Sequence, residues 1–140
     1  ECARVNSMIL GVGTDICSVK RMQYMTEKYG ARFLDRVFTP EEQERARCKA
    51  GSAERLAARF AAKEATMKAL GTGWACGVRF LDIHVTNEVG GRPVVRLVGT
   101  AASWAESIGV TRIHVSLSHE REQAVAFVVL EAADGRPWTD

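Results

Sequence analysis

The stretch RFAAKEATMKALGTG, Arg59–Gly73, decides how the rest of the chain is read. It continues a helix that runs from Ala53 to Leu70 and stops at the glycines of GTG. At about 100° per residue, Leu56, Phe60, Met67 and Leu70 share one apolar stripe. Ala58, Ala62, Ala65 and Ala69 make a second, smooth stripe that another element can approach closely. A helix apolar on two sides is buried, so Lys63, Glu64 and Lys68 in its middle need partners. Glu64 lies four residues before Lys68, the favourable order for an ion pair. On spacing alone, a structural salt bridge accounts for those two.

Upstream, MILGVGTDI (Met8–Ile16) reads as a strand, and Ser18–Tyr29 as a helix capped by Ser18 and stopped by Gly30. Arg32–Phe38 reads as a short helix or turn. Thr39 then caps a new helix, with Pro40 at its first position and Glu42 closing a capping box. Downstream the period changes. Phe80–Thr86 and Val94–Val98 read as a hairpin about NEVGGRP, Thr100–Ile108 as a helix, and Ile113–Ser118 as a half-buried strand. AVAFVVL (Ala124–Leu130) reads as a continuous buried strand. The expected class is α+β, a largely antiparallel sheet wrapped around a long central helix. One domain over residues 8–133 is expected, with residues 1–7 an extension and 134–140 a tail.

The composition excludes several function classes. Of 140 residues, 46% are hydrophobic and 26% charged, which suits an ordinary globular domain. No apolar run suggests a membrane span or a secretory signal. A net charge of +2 is too small to argue for nucleic acid. The cations are nevertheless clustered: Lys20, Arg21, Lys28, Arg32 and Arg36 in one segment, Arg45, Arg47 and Lys49 in another. Such clusters read as solvated faces or as docking surfaces for an acidic partner. Cys2, Cys17, Cys48 and Cys76 form no CxxC pair and no zinc spacing with His84, His114 or His119, so reduced cytoplasmic thiols are expected.

Three short stretches could carry chemistry. In GVGTDI (Gly11–Ile16) the third glycine of a dinucleotide fingerprint is missing and Asp15 intrudes, so the alternative is a carboxylate at a strand end. Asp15 and Glu64, from separate elements, would make a sparse oxygen site of the kind magnesium uses. A turn or cap role for Asp15 fits as well. SLSH (Ser116–His119) and GRP (Gly91–Pro93) read by themselves as a strand end and a hairpin turn.

Together, GVGTDI, RFAAKEATMKALGTG, GGRP and HVSLSH, in this order, closely resemble the holo-[acyl carrier protein] synthase family of short 4'-phosphopantetheinyl transferases. The resemblance runs from Met8 to about Glu131. It implies transfer of 4'-phosphopantetheine from coenzyme A to a serine of apo acyl carrier protein, leaving adenosine 3',5'-bisphosphate. It implies Asp15 and Glu64 as magnesium ligands and Lys68 on a phosphate oxygen. Arg59 and His119 would contact coenzyme A phosphates, with Gly71 and Pro93 lining the site. Arg21, Met25 and Lys28 would receive the acidic carrier protein, the cations steering it. The family is typically homotrimeric with sites between subunits. The acceptor of the serine proton stays open between Glu64, a carrier carboxylate and a water on the metal.

Overall fold

The structure, a computed structural model, describes residues 7–48, 50–73 and 76–133. Cys2, Lys49 and the 134–140 tail lie outside the described residues, as does 1–6 of the N-terminal extension. The elements run β1 (Ser7–Ser18), α1 (Val19–Tyr29), α2 (Ala31–Val37), α3 (Pro40–Arg47) and α4 (Ser52–Leu70). A 3₁₀ turn, Phe80–Asp82, leads into β2 (Ile83–Asn87), β3 (Pro93–Leu97), α5 (Gly99–Ser107), β4 (Arg112–His119) and β5 (Gln123–Ala133). No helix among the described residues is long and apolar enough to cross a membrane.

Both stripes of α4 are buried, as expected: Leu56, Met67 and Leu70 on one, Ala58, Ala62, Ala65 and Ala69 on the other. An antiparallel sheet of order β1–β5–β4 lies across the helix, while β2 and β3 form a separate hairpin. β1 sits closest. A Cβ at Gly11 would overlap the carbonyl oxygen of Ala69, and one at Gly13 that of Ala65. Small residues on both partners therefore let strand and helix backbones touch.

Lys63 needed a partner, and the structure supplies one that local spacing hides. Its ammonium is 0% exposed and donates to Glu42 Oε1 at 2.8 Å, Ile83 O at 2.8 Å and Phe80 O at 3.1 Å. Glu42 is itself 2% exposed and does three jobs. It closes the capping box of α3 through the Thr39 N–H, takes Lys63, and accepts from the Val85 N–H at 2.9 Å. Burial pulls the Lys63 pKa down and the Glu42 carboxylate opposes that pull.

Two expectations change. Phe80–Asp82 is not strand: Asp82 accepts from the Arg79 N–H and guanidinium, tightening the chain into a turn before β2 begins. β5 is not buried on both sides. Ala124, Ala126, Val128 and Leu130 face α4, whereas Val125 and Phe127 point outward with Val12 and Ile16 of β1. Among the described residues of one chain, this sheet has helix on one face only. The caps at Ser18, Gly30 and Thr39 stand where expected.

Gly13→Ala should force β1 away from α4. We expect a loss of about 3 kcal/mol or more in denaturant unfolding. Wild-type stability in that variant would contradict the close packing.

Candidate active site

Alternation along β1 turns Gly13, Asp15 and Cys17 inward, so the strand that touches α4 at Ala65 also delivers Asp15 to its flank. The Lys68 ammonium donates to Asp15 Oδ1 and to the Thr14 carbonyl, both at 3.0 Å. Lys68 thus turns to β1 rather than closing a simple helical pair with Glu64. Asp15 Oδ2 is buried without a donor. The Glu64 carboxyl is pushed up to about 7, first by burial and next by the Asp15 carboxylate and a hydrogen bond with it; Lys68 and Arg21 pull it back. Two carboxylates therefore face each other with too few donors between them. The neighbouring Cys17 thiol is pushed up to about 11, chiefly by burial, and is a poor nucleophile at neutral pH. No disulfide joins Cys17, Cys48 and Cys76.

A cavity of about 320 Å³ opens beside Glu64. Arg21, Met22 and Met25 of α1 line it, with Phe33 and Phe60. Arg21 and Met25 thus share this cavity with Glu64. Lys28 stands further out, its ammonium 5.4 Å from the ring centres of both Tyr24 and Tyr29. It donates to the Tyr24 hydroxyl at 2.9 Å, which raises its pKa. The two tyrosines were not singled out from the sequence, although Tyr24 lies one helical turn before Lys28.

A second cavity, about 280 Å³, is lined by Arg59, Pro93 and His119 together with Arg45, Arg55 and Asn87. Arg59 donates to Arg55 O at 3.2 Å and to Asn87 Oδ1 at 3.4 Å, but its Nε has no acceptor. Burial pulls the pKa of this guanidinium down; Glu42 opposes the shift, while Arg45 and Arg55 add to it. An anion in the cavity would relieve both the crowding and the orphaned N–H. Glu54 lies 3.2 Å from His119 Nδ1. Arg55 was legible, one helical turn before Arg59; Asn87 was hidden in what read as a turn. Arg47 points away, toward Glu44 at the surface.

Not every candidate comes together. Gly71 caps the C-terminal end of α4, about 18 Å along the axis from Arg59. At about 100° per residue, Arg59 lies about 140° from Glu64 and about 180° from Lys68 around the helix. The carboxylates and the basic cavity thus occupy different sides of α4.

Among the described residues, no group of three or more His, Cys, Asp and Glu side chains could hold a metal. Two carboxylates, one with an orphaned buried oxygen, instead suit a small hard cation that keeps most of its water, as magnesium does.

The 4'-phosphopantetheinyl transferase superfamily profile matches residues 11–128. The holo-[acyl-carrier-protein] synthase of Koribacter versatilis is 49% identical over 124 residues, covering 89% of this chain and 99% of its own. The crystal structure of the holo-[acyl-carrier-protein] synthase from Neisseria meningitidis superposes with a TM-score of 0.81 at 39% identity, covering 88% of this chain and 98% of that one. That of a holo-(acyl-carrier-protein) synthase from Bacillus anthracis, in complex with CoA (3',5'-ADP), gives 0.74 at 39% identity, covering 89% and 98%. The chain therefore belongs to the 4'-phosphopantetheinyl transferase superfamily, among its holo-[acyl-carrier-protein] synthases.

The raised Glu64 pKa has a measurable sign. Between pH 4.5 and about 7 the folded protein keeps a proton that the unfolded chain has released. Stability contributed by this group therefore falls as pH rises through that window. In chelator, unfolding midpoints should decline across it, and Glu64→Gln should flatten the decline. An unchanged slope in Glu64→Gln would show that the pair does not titrate this way.

Proposed function

We propose that this enzyme transfers 4'-phosphopantetheine from coenzyme A to a serine hydroxyl of apo acyl carrier protein, with magnesium, releasing adenosine 3',5'-bisphosphate. The observation that carries this reading is the orphaned Asp15 Oδ2 facing Glu64, with Lys68 bridging to Asp15. In the reaction the serine oxygen forms a bond to the pantetheine phosphorus, the bond from that phosphorus to the bridging diphosphate oxygen breaks, and the hydroxyl proton departs.

Asp15 and Glu64 would hold the magnesium. Bound there, it would draw charge from the diphosphate and offset charge building on the leaving group. Lys68 holds Asp15 Oδ1 and the Thr14 carbonyl and lies one helical turn from Glu64, where its remaining donor can meet a phosphate oxygen. Arg59 and His119 hold phosphate at the other end of the coenzyme, the desolvated guanidinium gaining most from an anion. Gly71, two helical turns beyond Glu64, would sit on the carboxylate side, and Pro93 lines the basic half. Arg21 and Met25 border the carboxylates and Lys28 stands beyond them, which suits reception of an acidic carrier helix. Tyr24 and Tyr29 hold Lys28 in place for that contact.

The two halves lie on different sides of α4, so one coenzyme that touches both spans two chains. The outward apolar row supports this. Ile16 is 64% exposed and Phe127 47%, an arrangement that suits burial against further copies in a homotrimer. We assign this enzyme to the cytoplasm, the compartment in which the reduced thiols expected from the sequence persist.

Intact mass spectrometry of an apo carrier incubated with this protein, coenzyme A and magnesium tests the reading. We expect the carrier to gain one phosphopantetheine, and chelator to abolish the gain. Glu64→Gln should lose at least about 100-fold in rate while staying folded. No gain on several folded apo carriers would overturn the activity, and an active Glu64→Gln would overturn the ligand assignment.

A further inference from the structure

The buried pair Lys63–Glu42 plays no part in the chemistry above, yet it ties together three of the elements that line the basic cavity, α3, α4 and β2. Among the described residues β2 pairs only with β3, and no strand lies beside its other edge. The ion pair takes that place. Glu42 Oε2 accepts from the Val85 N–H, and Lys63 donates to the Ile83 carbonyl. Asn87, two residues beyond Val85, accepts from Arg59 across the cavity. Arg45, three residues beyond Glu42 on α3, lines the same cavity. Arg45, Arg55 and Arg59 are like charges at close quarters, and the first two pull the pKa of the third down. Repulsion among them tends to push α3 off α4 when no anion is bound. The Lys63–Glu42 contact joins those two helices and opposes it.

Building on the phosphate-binding role proposed for this cavity, we infer that Lys63 and Glu42 are positioning residues: they hold α3 and β2 so that Arg45, Arg59 and Asn87 stay set for an anion before it arrives. Neither side chain touches the ligand. Their effect falls on coenzyme affinity, not on the reacting bond, because the carboxylates sit elsewhere on α4.

The test is the steady-state kinetics of Lys63→Met, with direct titration of coenzyme A and of adenosine 3',5'-bisphosphate. The KM for coenzyme A should rise about tenfold while kcat stays within about twofold. Leu130→Ala, which opens the core at the other end of the sheet, serves as a control for lost stability and should leave that KM unchanged. Should Lys63→Met fail to fold, Glu42→Gln removes the charge at constant size and should raise the KM severalfold. An unchanged KM in the folded variant, a fall in kcat alone, or an equal KM rise in Leu130→Ala would each overturn the inference. A wild type that neither binds nor uses coenzyme A would instead overturn the underlying reading.

Discussion

Gly13 lies against the backbone of α4 with no room for a side chain, and the geometry of the site follows from that contact. A strand usually stands further from a helix than side chains allow here. Alanines on α4 and glycines on β1 remove the spacers, and Asp15 comes near enough for Lys68 to bond it at 3.0 Å. Burial then does the electrostatic work. It raises the Glu64 carboxyl and leaves Asp15 Oδ2 without a donor, so the pair favours a proton or a cation.

The second constraint is the buried Lys63. An ammonium with no exposure survives because three oxygens surround it, one of them charged. Glu42 serves as helix cap, ion partner and substitute strand edge at once. α3, α4 and β2 thereby meet at one point, and the basic cavity lies alongside.

Much of this was legible in the sequence. Ser18, Gly30 and the Thr39–Glu42 box mark helix ends by local chemistry, and the doubled apolar face of α4 announces a central helix. Asp15, Glu64 and Lys68 were legible as a set through the family resemblance. Other features were hidden for physical reasons. Glu42 had a sufficient local explanation as a cap, which masked its bond to a lysine 21 residues away. In AVAFVVL every residue is apolar, so period-two burial leaves no trace; the outward side chains emerged only with the sheet's one covered face. Gly71 and Arg59 share one sequence motif yet lie about 18 Å apart along α4, because twelve residues of helix are longer than one small site.

The angle of about 140° between Arg59 and Glu64 around α4 underlies the proposal that carboxylates from one chain and cations from another complete each site. Subunit complementation tests it most directly. Glu64→Gln and Arg59→Ala chains would be assayed alone and co-expressed, at a coenzyme A concentration where each alone is silent. If neighbouring copies share sites, random mixing should restore about a quarter of the wild-type rate, since about one interface in four then has both intact halves. A co-expressed sample no more active than its parents would contradict the shared site and place all the chemistry within a single chain.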